Sequence, residues 1–141
     1  MLLTKECDYG IRIIRALAGG EKKTVAVICE MEQIPVPYAY KILKKLERAG
    51  LLRSLRGRDG GYQLAKSLDE ITLYDIVTAV DEHLFIFECL SDHSHCPLHQ
   101  ADKLCTVHLE LDRLQALLLT EMQAKTMRQI LQTPSIPPAD R

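Results

Sequence analysis

The alternation of apolar and polar positions divides the 141-residue chain into helices, one short hairpin and a long amphipathic C-terminal run. Thr4 stands ahead of a stretch in which Tyr9, Ile13 and Leu17 share one helix face and Ile11, Ile14 and Ala18 another. A helix apolar nearly all round is predicted there, buried against its own domain and a partner and ended by Gly19-Gly20. Thr24 opens a short helix through Val25, Ala26, Ile28 and Cys29 to about Met31. Pro35 and Pro37 interrupt the pattern, and Pro37 suits the first turn of a new helix over 38–49. Ile42, Leu43 and Leu46 would face inward, with Gly50 just past the end. Two short helices joined by a tight turn, the second rich in Tyr and Lys, form a helix-turn-helix pattern.

Leu52 to Leu55 reads as a strand, Gly57 to Gly61 as a turn and Tyr62 to Leu64 as the returning strand. A basic hairpin directly after a candidate recognition helix is a wing. Thr72 and Asp75 have the spacing of a capping box for a helix over 73–81, with Ile76, Val77 and Val80 inward. Periodicity then lapses over a stretch rich in Ser, Asp, His and Cys, and returns near Asp102. Leu104, Val107, Leu111, Leu114 and Leu118 alternate by three and four, and Leu117 and Leu119 widen the stripe. Continued to Gln132, that helix would be roughly 40 Å long, more than the face of so small a domain, which predicts a homodimer seam. The expected fold is therefore mainly α. It comprises a winged helix-turn-helix domain over 1–82, a cysteine-containing sensor loop over 83–103, a dimerisation helix over 104–132 and a flexible tail over 133–141.

Charge sharpens the picture. The formal net charge is −1, which on its own argues against nucleic acid. Between Pro35 and Lys66, however, eight basic residues (Lys41, Lys44, Lys45, Arg48, Arg53, Arg56, Arg58 and Lys66) face only Glu47 and Asp59. That window carries +6 and the rest of the chain −7. A local positive footprint on an acidic protein leaves the basic face as the docking surface for phosphate, although a solvated helix face would show the same charges. With 47% apolar and 26% charged residues the composition is that of an ordinary folded domain. No run of eighteen apolar residues predicts a membrane span, and the N-terminus has no secretory signal pattern, so a cytoplasmic protein is expected.

Three of the five cysteines and four of the five histidines fall between Cys89 and His108. In a reducing compartment such cysteines are metal ligands, redox-active or buried rather than disulfide-bonded. Cys7 and Cys29 sit in helical patterns and are expected in the core. Cys89, Cys96 and Cys105 are the candidate ligands. His93, His95 and His99 are weaker ones, and one of them as a ligand would instead favour zinc. No nucleophile–base pattern, phosphate loop or paired-carboxylate motif points to an enzyme.

The run Leu51-Leu-Arg-Ser-Leu-Arg-Gly-Arg-Asp-Gly-Gly-Tyr-Gln-Leu-Ala65, followed by Glu70-Ile-Thr-Leu-Tyr-Asp-Ile-Val-Thr-Ala-Val80, resembles the IscR/NsrR/CymR-type winged-helix transcription regulators of bacteria. The resemblance implies a dimer on a pseudo-palindromic duplex DNA operator, with recognition helices in major grooves and wings at adjacent minor grooves. The implied DNA contacts are Pro37, Tyr38, Tyr40, Lys41 and Lys44 on the recognition helix, and Arg56, Arg58, Gly60, Gly61 and Tyr62 on the wing. Tyr62 can equally serve to pack the wing onto the domain. The resemblance also implies an iron–sulfur cluster, [2Fe–2S] or [4Fe–4S], on Cys89, Cys96 and Cys105. Here the cysteines are separated by six and eight residues, longer intervals than is frequent in that family. His108, or Asp8 from the other subunit, matches the position of a fourth ligand. The alternatives are a regulator that uses zinc or a thiol switch, and a protein-binding adaptor without a cluster.

Overall fold

The computed structural model describes residues 4–81, 84–91, 96, 98–99 and 104–134. Thr4 caps helix α1 (Lys5–Ala16), its hydroxyl accepting from the Cys7 amide. Thr24 does the same for α2 (Val25–Glu32). The turn between α2 and α3 (Val36–Arg48) is made by Gln33 in the left-handed region, φ 55°, followed by Ile34 and Pro35. Pro37 occupies the first turn of α3, where its missing N–H breaks no helical bond. Gly50, φ 74°, lets the chain reverse into strand β1 (Leu52–Leu55). β1 pairs antiparallel with β2 (Gly61–Leu64) in the register Leu52–Leu64 and Leu55–Gly61.

The wing does not float free. Tyr62 exchanges both backbone hydrogen bonds with Lys23 (2.9 and 2.8 Å), so the residue ahead of the Thr24 cap acts as a third strand one residue long. Glu47 of α3 accepts from the amide and hydroxyl of Ser54, and Gln63 donates to the Gly20 carbonyl (2.7 Å). The wing is thereby fixed to α3 on one edge and to the α1–α2 connection on the other.

Helix α4 (Leu73–Val80) has the expected Thr72–Asp75 capping box. It crosses α1 at Gly10, where a methyl group would lie 2.9 Å from Val80 Cγ2 and 3.3 Å from Ile76 Cγ2. Ile13, Ile14, Leu17, Ile28, Ile42, Leu43, Leu46, Ile71, Ile76 and Val77 fill the core between α1, α2, α3 and α4. Cys7 and Cys29 belong to it, as their sequence context predicts.

The C-terminal helix departs from the sequence reading. Instead of one helix to Gln132 there are two: α5 (Thr106–Ala124) and α6 (Met127–Gln132). Lys125 is extended, and Thr126 restarts the helix with a capping box closed by Gln129. The break lets the chain hook back onto the segment before α4. Met127 donates to the Ile71 carbonyl (2.7 Å), Arg128 donates to the Leu68 carbonyl (3.2 Å) and pairs with Asp69, and the Met127 side chain is buried. At 1.5 Å per residue, α5 alone is about 28 Å long rather than 40. Among the described residues no helix is long and apolar enough to cross a membrane.

Candidate nucleic-acid interface and sensor stretch

Along α3 the exposed positions recur every four residues. Val36, Tyr40 and Lys44 form one ridge, Pro37 and Lys41 lie beside it, and Ala39, Ile42, Leu43 and Leu46 are buried behind. Tyr40 lines a cleft of about 460 Å³ with Thr24, Val25 and Ala26 at the start of α2 and with Gly57, Arg58, Gly60 and Tyr62 of the wing. The recognition ridge and the wing therefore share one face. Arg56, Arg58 and Lys44 are exposed on it and make no ion pair among the described residues.

Other predicted contacts already have partners within the chain. Lys41 Nζ lies 2.5 Å from Glu6 Oε1, and Lys45 donates to Glu6 Oε2 (3.0 Å) and to the Val80 carbonyl (2.6 Å). Hydrogen bonds from Lys41 and Lys45 hold the Glu6 carboxyl below its usual pKa, outweighing the opposing effect of burial. Tyr38 leans away from the cleft and packs edge-on against Tyr9 of α1, ring centroids 5.8 Å apart. Gly60 and Gly61 owe their identity to the wing itself. A Cβ would sit 2.6 Å from the Leu55 carbonyl oxygen at Gly60 and 2.6 Å from that of Lys23 at Gly61. Tyr62 is half-buried against the core, and burial together with Glu47 raises its pKa. The packing role foreseen for Tyr62 is thus realised in the fold.

Beneath the recognition face, α1 is clamped to the helix-turn-helix turn by a buried carboxylate that the sequence reading did not single out. Glu32 accepts from Arg15 through both oxygens, and Arg12 donates to the Glu32 carbonyl (3.1 Å). A Glu next to Met31 at the end of an apolar helix is the available signal. Asp8, one of the two candidate fourth ligands, is 51% exposed at its side chain and engaged with Arg12 at 2.9 Å, one helical turn away.

The sensor stretch is only partly described, and His93 and His95 lie outside the described residues. Cys89 sits in the short 3₁₀ turn Glu88–Leu90, Cys96 outside any helix or strand and Cys105 at the N-cap of α5, all three partly exposed. No disulfide joins any of the five cysteines. Among the described residues no three His, Cys, Asp or Glu side chains converge as a metal site. The structure does bring His99 and His108 together, with rings stacked at 3.7 Å and 17°. His99 Nδ1 accepts from the amide of Cys105 (3.3 Å), the N-cap residue of α5, which makes no side-chain cap of its own. His108 Nδ1 is buried without a hydrogen-bond partner, a costly state for an imidazole nitrogen unless something is bound there. Sulfur donors with one orphaned imidazole nitrogen beside Cys105 fit a thiolate-held cluster with a nitrogen at one corner. Upstream, Gln115 of α5 holds the entry to this stretch. Its amide donates to the Leu84 carbonyl (2.6 Å) and accepts from the Ile86 amide (2.9 Å).

A family model described as "Iron-dependent Transcriptional regulator" matches residues 3–133. The chain belongs to the Rrf2 family. That family is one of transcriptional regulators, not enzymes. Within reach of this Rrf2 chain is the HTH-type transcriptional regulator NsrR of Shouchella clausii, 30% identical over 74% of the chain and 72% of the relative. Two further curated relatives, 36% and 38% identical, are matched over 66% and 65% of their own length, so the chain spans just under two thirds of each. Two solved structures share the fold. CymR of B. subtilis, the global cysteine regulator, superposes with a TM-score of 0.74 over 96% of this chain and 99% of its own, at 22% identity. T. potens IscR gives 0.74 over 100% and 93%, at 19% identity. The mainly helical fold with a two-stranded wing and the resemblance to the IscR/NsrR/CymR-type regulators both stand.

Proposed function

We propose that this Rrf2 chain acts in the cytoplasm as a homodimeric, DNA-binding regulator whose operator affinity is set by an iron–sulfur cluster held by Cys89, Cys96 and Cys105. The observation that carries the cluster reading is the buried, unpartnered Nδ1 of His108 one turn from Cys105. It favours His108 over Asp8 as the fourth ligand, since Asp8 already has Arg12. A cluster supplies a redox-labile tie between the stretch after α4 and the start of α5. The protein side of the switch is conformational. Drawing Cys89 and Cys96 toward Cys105 tightens the segment that Gln115 anchors, and α5 packs on α4, which in turn packs on α1 and α3. Ligand binding at one end thus biases the placement of α3 at the other. On the output side Lys44, Arg56 and Arg58 neutralise phosphate, and Pro37, Tyr38, Tyr40 and Lys41 meet the groove.

A zinc or thiol switch is the second reading, and its thiol form is favoured because no three potential ligands converge among the described residues. One experiment decides between them. Protein purified anaerobically and reconstituted with iron and sulfide is assayed for metal and sulfide content and for binding to operator duplex over a salt series. Bound iron and sulfide, lost in Cys96→Ala together with the change in affinity, support the cluster. Zinc, or no metal with affinity that follows thiol oxidation, supports the second reading. Binding without steep salt dependence sinks DNA docking itself.

A further inference from the structure

The outward end of α3 is unusual in what it lacks. From Val36 to Tyr40 there is no Arg, Lys, Asn, Gln, Asp or Glu, and the first such side chain, Lys41, is held by Glu6. Hydrogen-bonded discrimination of base pairs in the major groove relies on those side chains: Arg or Lys for guanine, Asn or Gln for adenine, Asp or Glu for cytosine. What this end does present is apolar surface. Val36 is 48% exposed, Tyr40 55%, and Pro37, also exposed, lies beside the ridge that they form. The group on a base edge that matches such surface is the C5 methyl of thymine.

A second observation points to the same bases. Arg58 lines the cleft that Tyr40 enters, and Arg56 precedes it at the wing tip, both exposed. Guanidinium groups are drawn into narrow minor grooves, which are a property of A·T tracts. Lys44 and Arg48 continue the positive charge along α3, so the apolar end is framed by phosphate-seeking groups rather than by a protein-like rim.

We propose that Val36, Pro37 and Tyr40 read thymine methyl groups in the major groove, so that operator half-sites are A·T-rich beneath the first two turns of α3. This rests on the docking of α3 and the wing against duplex DNA. The test begins with selection of bound duplexes from a random library by the full-length protein. The selected duplex is then remade with deoxyuridine in place of thymine under α3, which removes the major-groove methyl and leaves the minor groove unchanged. A·T-rich half-sites and a loss of roughly fourfold in affinity for each contacted methyl removed are expected. Val36→Ser, with its helical circular dichroism unaltered, narrows the thymine–uracil difference at one position. Selection of G·C pairs beneath α3, or equal binding of the thymine and uracil duplexes, overturns methyl reading while leaving DNA docking intact. Failure to bind any duplex in a salt-dependent manner overturns the docking and, with it, this proposal.

Discussion

Lys41 and Glu6 show how a single residue can temper an interface. Glu6 neutralises a lysine beside the recognition ridge, and its lowered pKa keeps it charged further into the acid range. Because the folded pKa is lowered, the attraction stabilises the fold at neutral pH and is lost as the pH falls through that lowered value. Glu6→Gln removes it at every pH and frees Lys41 for phosphate. DNA binding by Glu6→Gln is then expected to tighten at low salt, with log affinity falling more steeply against log salt by about 0.9. An unchanged slope in fluorescence anisotropy would show that Lys41 never reaches a phosphate. The cysteines divide in the same residue-by-residue way. Cys7 and Cys29 are both buried and shielded from reagent, and burial also raises the Cys29 pKa. Brief alkylation of the native apo protein is expected to label Cys89, Cys96 and Cys105 and to spare the other two. Peptide mass spectrometry reads the result, and early modification of Cys29 would contradict the packing of α2.

Among the elements, those specified by local chemistry were legible in the sequence, and those specified by docking were not. Thr4, Thr24 and Thr72 announce α1, α2 and α4 because a hydroxyl before an apolar run satisfies free helix N–H groups whatever the fold. Pro37, Gly50 and the alternation in 52–64 do the same for α3 and the wing. The break at Lys125 was missed although Thr126 and Gln129 carry a capping-box spacing, because the apolar period continues through both helices. What ends α5 is tertiary: backbone bonds to Leu68 and Ile71 and a pocket for Met127. The His99–His108 stack and the Glu32–Arg15 pair were hidden for the same reason, since each joins residues that sequence spacing alone does not bring together. If α6 is held by that pocket, Met127→Ala should destabilise the protein by about 2–5 kcal/mol, the usual range for emptying a buried site of this size. Leu131→Ala, on the exposed side of the same helix, should fall within about 0.5 kcal/mol of wild type. Urea denaturation distinguishes the two, and equal effects would mean that α6 is not docked through Met127.

At the scale of the whole molecule, the question is what covers α5. One side of this helix is spent on its own domain: Gln115 and Met122 are buried, and Leu118 and Leu119 pack against the core. The apolar stripe read from the sequence was wider than that, and its remainder faces outward. Val107 is 64% exposed, Leu117 51%, and Leu114 lies between them, one or two turns from each. Three large aliphatic side chains on one exposed strip of a helix are the pattern of an unfinished seam, and a second copy of α5 is the proposed complement. The shorter length of α5 bears on how that seam works. A helix of about 28 Å contacts its partner over fewer turns than one of 40 Å, so each apolar residue carries a larger share of the association. Leu117→Glu, which places a charge in the seam without touching the buried side, should therefore shift the protein to monomer at micromolar concentration in sedimentation equilibrium. Its helical circular dichroism should stay within error of wild type, because Leu117 contributes little to the monomer core. Half-sites on a duplex are bound together only if the two recognition helices are physically linked, so the same variant should lose at least tenfold in affinity for a two-half-site duplex. Its affinity for a single half-site should be unchanged. A monomeric Leu117→Glu protein that binds both duplexes as wild type does would mean that the seam lies elsewhere and that α5 faces another partner.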